Sequence, residues 1–322
     1  MKLLSIFAII AASVSGLCLK ADANEPGKPL YLADPFIFEE NGVFYAYGTY
    51  AKDGIAVYKS YNMKEWEGPC GNAVGGLALH KSDSWGEYNF WAPEVYKSGD
   101  RYVMTYSAEE RVVVAFSDSP AGPFRQETPY APYATGKGSI DSHIFMDDDG
   151  QAYMYFVRFG FGKGNEIRYV KLEKDLKTVC GPQKECINAT RGTWEVVEPE
   201  HRVSEGPFVL KHKGLYYLSY SCNHFRSCDY AVGYAVSNSP SGPWKRYEGN
   251  PILIRQGGHC GTGHHAFFKR SDGKLFIIYH AHKNLSEVAP RKMLISPCKF
   301  KKSKNGPDRI VVSKKTISAT IR

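Results

Sequence analysis

Five segments of the chain repeat one plan, and this repetition constrains the fold more than any other feature of the sequence. Each segment has a polar or Pro-containing start, an alternation of apolar residues, a turn, and a second stretch rich in aromatic residues. The segments begin at Asp34, Ala92, Asp141, Glu205 and His265. Because side chains of a strand point alternately to opposite faces, an apolar alternation of period two predicts half-buried β-strands.

Turn signals divide each unit into strands. Asn-Gly or Asp-Gly dipeptides at 41–42, 149–150 and 272–273 supply the positive φ angles of tight hairpin turns. Ser117–Phe124 and Ser237–Trp244 are nearly the same Pro/Gly phrase, and each follows a further apolar stretch. A unit is therefore interpreted as a hairpin, a third strand, a turn and a short fourth strand.

Units of this kind recur roughly every 50 to 65 residues, a spacing typical of propeller blades. We therefore expect an all-β fold: a five-bladed β-propeller with four-stranded antiparallel blades around a central channel. No amphipathic helix of useful length is found in the sequence. Residues 24–322 are expected to form one catalytic domain of this type, and residues 1–23 a signal peptide.

The N-terminus has the features of a secretion signal. Lys2 supplies the positive charge, residues 3–12 are almost continuously apolar, and Ala21-Asp22-Ala23 has the small-x-small form of a cleavage site. The apolar run is too short to span a bilayer stably. We expect cleavage after Ala23, a periplasmic or extracellular location, and no membrane span.

The charge and the cysteines constrain the possible partners. The net charge of +8 is spread along the chain apart from a Lys-rich tail, and secretion argues against nucleic acid as a partner. Seven cysteines remain after cleavage, which fits an oxidising compartment. The short loops 180–186 and 222–228 favour Cys180–Cys186 and Cys222–Cys228 bridges, with at least one thiol left free. No CxxC spacing supports a zinc ribbon.

Three carboxylates are expected to converge on the axis. The first strand of each propeller blade runs along the central channel, so matching positions of successive first strands approach one another. Asp34, Asp141 and Glu205 stand eight, nine and nine residues before the glycine of the following turn. Crowding and burial should raise the pKa of at least one of them. Inverting glycoside hydrolysis needs one protonated and one ionised carboxyl, separated by roughly 6.5–9.5 Å.

Five motifs in the expected order resemble those of family 43 glycoside hydrolases, from about Leu32 to Arg291. One departure from the family pattern is Asp141-Ser142, where many members have Asp-Pro. The motifs are Leu32–Pro35, Phe90–Glu94, Ile140–Gly150, Ser204–Pro207 and Gly261–His264.

The resemblance implies catalytic roles for the three acids. Asp34 matches the general base that activates water, and Glu205 matches the general acid. Asp141 matches the carboxylate that orients the acid and tunes its pKa. No cofactor is implied for the reaction itself.

The resemblance also implies binding residues. Trp91, with Phe90 beside it, matches the aromatic wall of the sugar subsite, and Arg291 matches an arginine that binds sugar hydroxyls. His264 matches the axial histidine that contacts a bound calcium, largely through water. A structural calcium on the propeller axis is therefore one hypothesis for this protein.

The resulting prediction is an inverting, exo-acting glycosidase that removes terminal sugars from plant cell-wall polysaccharides or oligosaccharides. α-L-Arabinofuranosidase is the first choice of activity, and β-xylosidase or an exo-acting galactosidase are the alternatives. A non-catalytic glycan-binding propeller is the alternative from another class, although all three acids are present. The sequence leaves the sugar, the linkage and the oligomeric state open.

Three further interpretations are weaker. A phosphorylase would need a basic cluster around the acid, and only Arg202 and Arg226 accompany Arg291. The histidines between His259 and His282 could suggest zinc, but lining a sugar pocket or forming core hydrogen bonds is the simpler interpretation. The Asp147–Asp149 run lacks the glutamate of an EF-hand loop and is expected to form a hairpin turn.

Overall fold

The computed structural model describes residues 26–49, 51–126, 136–160, 164–200 and 202–322. The predicted signal peptide, 1–23, and the cleavage position at Ala23 lie outside the described residues. Within those ranges strands dominate, and the helical elements are three short 3-10 helices. None of these could cross a membrane. The 3-10 helices are Val74–Gly76, Lys81–Asp83 and Gln256–Gly258.

Five antiparallel sheets follow one another along the chain and confirm the predicted propeller. The innermost strand of each sheet contacts the innermost strands of the sheets before and after it, and the fifth contacts the first. The sheets are therefore blades of a closed ring.

The strands of the first three blades are bounded as follows. Blade I contains β1 (Ala33–Glu40), β2 (Val43–Thr49), β3 (Gly54–Ser60) and β5 (Leu77–His80), with the short β4 (Glu65–Trp66) between the last two. Blade II contains β6 (Trp91–Ser98), β7 (Arg101–Ala108) and β8 (Arg111–Ser117). Blade III contains β9 (Ser139–Met146), β10 (Ala152–Gly160), β11 (Gly164–Leu172) and β12 (Val179–Asn188).

The last two blades have outer positions built from short pieces. Blade IV contains β13 (Ser204–His212), β14 (Leu215–Cys222), β15 (Ala231–Ser237), β16 (Lys245–Arg246) and β17 (Leu253–Ile254). Blade V contains β18 (Gly263–Lys269), β19 (Leu275–Ala281), β20 (Lys292–Lys301), β21 (Arg309–Val312) and β22 (Ile317–Ser318). The final strand, β23 (Thr320–Ile321), pairs in parallel with β4 of blade I and thereby links the last blade to the first.

Blade II departs from the predicted four strands. Phe116 and Arg125 exchange two backbone hydrogen bonds of 2.9 and 2.8 Å, but no longer ladder forms beside β8 in the described residues. Pro123 has no N–H to donate, and the N–H of Phe124 bonds instead to the carbonyl of Ala78 in blade I at 2.7 Å. The outer segment of blade II is thus shared with its neighbour.

Tyrosines of the second strands fill the space between blades. Tyr47, Tyr106, Tyr155 and Tyr279 are fully buried, and their hydroxyls find partners. Tyr47 and Tyr155 donate to the carbonyls of Pro120 and Pro240, which lie within the two Pro/Gly phrases. Strand packing therefore accounts for much of the high tyrosine content, because these rings combine a large apolar surface with a satisfied hydroxyl.

Each innermost strand contains a β-bulge near its start, and this feature positions the site. The residue at the bulge has a left-handed backbone, and the register shifts there in all five blades. Bulges re-aim side chains and are frequent beside active sites. The five bulge residues are Asp34 (φ 49°), Ala92 (φ 44°), Asp141 (φ 54°), Gly206 (φ 55°) and His264 (φ 44°). We call the face of the ring where the innermost strands begin the upper face.

The predicted disulfides are wrong. Cys180 and Cys186 both lie on β12, where six residues of extended chain span about 20 Å, far more than a disulfide allows. Cys222 is buried at the end of β14 and contacts Ser204. Cys228 is instead bonded to Cys260, 32 residues away. Loop length alone misled the prediction, because the direction of the strand side chains decides which sulfurs meet.

Candidate active site

The bulges bring two of the predicted acids together with a histidine at the upper end of the axis. His264 Nδ1 lies 3.3 Å from Asp34 Oδ1 and 4.0 Å from Asp141 Oδ2. The N–H of Gly206, next to Glu205, donates to Asp141 Oδ2 at 3.3 Å. The three acids therefore surround one small space, although they belong to blades I, III and IV.

Asp34 is surrounded by positive and polar groups. Its Oδ1 accepts a 2.9 Å hydrogen bond from Arg291 and lies 3.2 Å from His280 Nδ1. Burial raises the pKa of the Asp34 carboxyl, but Arg291, His264 and His280 outweigh burial and hold that pKa well below its usual value. Asp34 is therefore ionised throughout the neutral range.

Glu205 has the opposite environment. Burial raises the pKa of its carboxyl to about 7, and the negative charge of Asp34 acts in the same direction. A 2.8 Å hydrogen bond from the Tyr230 hydroxyl opposes this shift. Glu205 can therefore hold a proton near neutral pH and also release it, which is the property of a general acid.

Asp141 is buried and interacts with both of the other carboxyls. Burial raises its pKa well above the usual value, and the charges of Glu205 and Asp34 raise it further. The hydrogen bond from Gly206 N–H only partly offsets these effects. Because neighbouring like charges cannot both ionise easily, Asp141 and Glu205 titrate as an interacting pair.

The repeat assigns Glu205 to a different slot from the one expected. Glu205 pairs with Ser221, as Trp91 pairs with Ser107 in blade II, so these two residues are equivalent. The position that matches Asp34 and Asp141 is held by Gly206. Counting residues to the next turn missed this one-residue offset, because the turn of blade III, between Met146 and Ala152, is longer than the turns of blades I and IV.

A ring of side chains that the sequence analysis missed anchors the bulges. In four blades, the bulge N–H donates to a side chain from the second strand of the preceding blade. Blade IV is the exception. The equivalent position of blade III, opposite Ile140, is the apolar Val157, so the bulge N–H of Gly206 donates to Asp141 instead. The four bonds are Ala92 to Thr49 (2.9 Å), Asp141 to Ser107 (3.1 Å), His264 to Ser221 (2.9 Å) and Asp34 to His280 (3.2 Å). A polar residue near the end of each of these second strands is the signal that could have revealed the ring.

The predicted binding residues fall into two groups. Arg291 and His264 lie at the acids, as described above, and Trp91 is half-buried at the upper end of β6. Phe90 is only 2% exposed and stacks on Tyr106 at 6.3 Å. Its ring belongs to the core between the blades, so the structure does not bring Phe90 to the sugar-binding space.

A loop between β14 and β15 supplies two contacts that the sequence did not reveal. Tyr230, at its end, is fully buried and donates to Glu205. The ring of Phe225 lies under the guanidinium of Arg291, with 4.8 Å between Cζ and the ring centroid. The loop therefore touches groups on both sides of the site.

A small cavity below the carboxylates bears on the axial calcium hypothesis. This cavity measures about 10 Å³, room for about one water molecule. Calcium takes six to eight oxygen ligands, and Glu94 in the lining already bonds to Tyr96 and to His143 at 2.8 Å. The described residues contain no cluster of three or more acidic, His or Cys ligands. The donors near His264 therefore do not fit a directly bound calcium.

The C-terminal histidines do not all converge on one point. His264 and His280 both approach Asp34 Oδ1, whereas His282 and His265 have other partners. His282 Nε2 donates to the carbonyl of Phe225 at 2.8 Å. His265 Nε2 lies 2.7 Å from Ser219 Oγ. These contacts agree with the pocket-lining and core roles preferred over zinc. Asp147 forms the predicted turn, since its carbonyl accepts from Gly150 N–H at 2.9 Å.

A phosphate-binding cluster is not supported by the contacts of the basic residues. Arg202 Nε donates to the carbonyl of Ala189 at 2.5 Å, a bond that supports the chain entering blade IV. The Arg226 guanidinium lies over Phe225 at 5.5 Å. These contacts leave Arg291 as the arginine placed directly at the acids, which disfavours a phosphorylase.

Comparisons with known proteins agree with this geometry. The family model for glycosyl hydrolases family 43 matches residues 24–304. A xylosidase/arabinosidase 43A of Humicola insolens is 28% identical in an alignment that covers 78% of this chain and 88% of the relative. An extracellular exo-α-(1→5)-L-arabinofuranosidase, ArbA of Cellvibrio japonicus, is 24% identical and matches 87% of this chain and 84% of its own length.

A solved structure gives a closer match. The crystal structure of an endo-1,4-β-xylanase from Bacteroides thetaiotaomicron superposes with a TM-score of 0.82 at 39% identity, covering 91% of this chain and 98% of the other. Fold, ordered motifs and family match therefore lead to one conclusion. The chain belongs to glycosyl hydrolases family 43 and is a glycoside hydrolase of the inverting type.

Proposed function

We propose that the protein is an exo-acting α-L-arabinofuranosidase that removes terminal sugars from plant cell-wall polysaccharides or oligosaccharides. Asp34 acts as the general base, Glu205 as the general acid, and Asp141 as the carboxylate that tunes the acid. The observation that carries this proposal is the contrast between Asp34, whose pKa is held low, and Glu205, whose pKa is raised to about 7.

The proposed reaction uses each group in the protonation state that its surroundings favour. Asp34, ionised beside Arg291, accepts a proton from a water molecule as that water attacks the anomeric carbon. Glu205 donates its proton to the glycosidic oxygen as the bond to the leaving sugar breaks. This attack and departure on opposite faces of the ring inverts the anomeric configuration. Proton transfer from Asp34 to solvent and from solvent to Glu205 restores the enzyme.

The neighbouring residues are assigned supporting roles. Asp141 accepts from the Gly206 N–H next to Glu205 at 3.3 Å and is electrostatically coupled to Glu205, so the pair does not readily lose both protons. This coupling is proposed to tune the acid. Trp91, half-buried on the upper face, is proposed to pack against the flat side of the sugar. Arg291 is proposed to bind sugar hydroxyls with the donors that do not face Asp34, and His264 to contact the substrate beside it.

The choice of sugar rests on the relatives. The names of the Humicola and Cellvibrio proteins both include an arabinose-releasing activity, which supports arabinofuranose as the first candidate. The Humicola name also includes xylosidase, so β-xylosidase is the second candidate. The word extracellular in the Cellvibrio name supports the proposal that this enzyme is exported.

A substrate panel tests the proposal. The purified protein is assayed on aryl α-L-arabinofuranoside, β-D-xyloside and β-D-galactosides, and then on arabinan and xylan oligosaccharides. We expect the arabinofuranoside to give the highest kcat/KM and arabino-oligosaccharides to lose single terminal residues. A preference for the xyloside would transfer the assignment to β-xylosidase. Internal cleavage of long chains would contradict exo action.

Proton NMR of the first sugar released tests the assigned chemistry. Inversion requires that the α-linked substrate release the β-anomer before mutarotation. Asp34→Asn serves as the matched control, because it keeps the shape of the side chain but removes the base. Binding of oligosaccharides with no turnover by the wild type would instead support the non-catalytic propeller.

A further inference from the structure

The loop from Asn223 to Tyr230, between β14 and β15, is fixed at several points on the upper face. The side chain of Asn223 is buried and donates to the carbonyls of Trp194 at 3.0 Å and Asp229 at 2.9 Å. Its Oδ1 accepts from Val197 N–H at 2.9 Å. These bonds attach the start of the loop to the chain that enters blade IV.

The other end of the loop is attached to blade V. A disulfide joins Cys228 to Cys260, three residues before β18. Arg255, on the same connecting segment as Cys260, forms a 2.7 Å ion pair with Asp229. The loop is therefore held between two blades, with the disulfide as its covalent attachment.

Two glycines show how closely the attached segment packs against the site. A Cβ atom at Gly261 would lie 2.0 Å from Nε2 of His282, and one at Gly263 would lie 2.4 Å from the Tyr230 ring. Only bare backbone fits there. The disulfide next to these glycines thus holds a backbone surface against which Tyr230 and His282 rest.

The loop contacts the partners of both proposed catalytic groups. At one end, the Tyr230 hydroxyl donates to Glu205, and the Tyr230 ring stacks on His280 with centroids 5.6 Å apart. Near the middle, Phe225 lies under Arg291, the arginine that bonds to Asp34. One short loop therefore sits behind the acid on one side and behind the arginine of the base on the other.

We propose that this disulfide-held loop is a positioning element for the reaction: Tyr230 places the carboxyl of Glu205, and Phe225 places the guanidinium of Arg291. The Cys228–Cys260 bond holds both of these side chains in place. This inference rests on the proposed function, because it assigns Glu205 and Asp34 as the acid and base that need placing. Misplacement of reacting groups by a fraction of an ångström to about 1 Å lowers rates steeply, so loosening the loop lowers kcat more than it raises KM.

The groups around Glu205 determine how loosening the loop changes the pH dependence of the reaction. Tyr230 is the neighbour that donates a hydrogen bond to its carboxylate, and loss of that bond disfavours the ionised form. The upper limb of the pH–rate profile therefore moves to higher pH when Tyr230 is removed or displaced. The other groups that face Glu205 are Asp34, Asp141, Cys222 and Arg291.

The test compares wild type with Tyr230→Phe, Phe225→Ala and the double variant Cys228→Ser/Cys260→Ser on an aryl α-L-arabinofuranoside. We expect kcat of the double variant to fall roughly tenfold, with little change in KM. Tyr230→Phe should shift the upper pH limb upward, and the double variant should shift it in the same direction. Phe225→Ala should move the lower limb, which reports Asp34, upward. Cys180→Ser, at an exposed free thiol on another blade, is the matched control and should change nothing.

Reduction of the wild type provides a second measurement. A dithiol such as dithiothreitol converts the disulfide to two thiols and is itself oxidised to its cyclic disulfide, a balanced two-electron, two-proton exchange. The treated wild type should then match the double variant, and the double variant should not respond. Circular dichroism and melting curves establish that each protein is folded, and if the double variant fails to fold, Tyr230→Phe and Phe225→Ala decide.

The outcomes separate the two levels of inference. Unchanged kcat and pH profiles in folded variants of an active enzyme would overturn the positioning role and leave the proposed function intact. A wild-type protein inactive on every glycoside would overturn the proposed function, and the positioning role with it.

Discussion

The two sides of the candidate active site use neighbouring positions of the same repeated strand but place their carboxyls in opposite environments. On the blade I side, a single oxygen of Asp34 meets Arg291 and two histidines. On the blade IV side, the hydrogen bond that Glu205 receives comes from the neutral hydroxyl of Tyr230. Strand position thus determines where a carboxyl lies, whereas its neighbours determine whether it holds a proton.

His264 and His280 lie on the hairpin strands β18 and β19, but the other two neighbours that create this difference do not come from the repeated hairpins. Arg291 lies in the connection between β19 and β20, and Tyr230 at the end of the loop between β14 and β15. These connections differ in length and composition between blades. A symmetric scaffold therefore becomes an asymmetric acid–base pair through its loops, which is the usual place for function on a rigid fold.

The largest expected effect comes from replacing the proposed general acid. Glu205→Gln keeps the size of the side chain but cannot protonate a leaving group. We expect kcat on arabino-oligosaccharides to fall about 10³- to 10⁴-fold, and kcat on aryl glycosides with good leaving groups to fall less. Release of reducing sugar measures kcat on the oligosaccharides, and release of the aryl group measures kcat on the aryl glycosides. Glu248→Gln, at an exposed position, should be neutral. Full activity of Glu205→Gln on oligosaccharides would rule out this acid.

Removing the carboxyl that is coupled to the acid should have a smaller but diagnostic effect. Asp141→Asn keeps an oxygen for the Gly206 N–H and leaves Glu205 as the one ionisable group of the pair. We expect kcat to fall roughly a hundredfold. The upper limb of the kcat/KM profile, near pH 7 in the wild type because the pKa of Glu205 is raised to about 7, should move to lower pH. An upper limb that stayed in place or rose would contradict the tuning role.

The physical origin of each feature decides whether it could be predicted from the sequence. The propeller and the meeting of Asp34, Asp141 and Glu205 depend on the repeat, and repeats are visible as alternation and turn dipeptides. The Cys228–Cys260 bond and the contact of Phe225 with Arg291 depend on how long, non-repeated loops fold back over the ring, and no local pattern encodes that.

Errors at single residues have equally specific causes. Phe90 precedes a channel-facing strand, but its ring turns into the core against Tyr106, a choice made by packing between blades. The offset between Glu205 and Gly206 was hidden by the hairpin turns, since the turn of blade III is longer than those of blades I and IV. Counting residues in the sequence assumes turns of equal length and therefore misses the offset.

The base side can be tested through its arginine. Arg291→Met keeps the length of the side chain but removes the charge that holds the pKa of Asp34 low. Without it, that pKa rises, Asp34 becomes protonated at a higher pH, and the lower limb of the profile moves upward. We expect about a tenfold loss of kcat/KM at acidic pH and a smaller loss near neutrality. Arg270→Met, at an arginine paired with Asp272, is the control. A profile with an unmoved lower limb would show that Asp34 does not depend on Arg291.

The smallest effect is expected for the ring of side chains that anchors the bulges. Both sides of the site depend on this ring. Ser107→Ala leaves the buried N–H of Asp141 without its acceptor, and an unpaired buried donor lowers the free energy of unfolding by about 1–3 kcal/mol. Chemical denaturation measures this loss, with Ser241→Ala on an exposed turn as the control. Catalysis should change little, because Asp141 keeps its bond from Gly206. A large fall in kcat with unchanged stability would mean instead that the anchor places Asp141 for the reaction, so that the acid side depends on its bulge as strongly as on its loops.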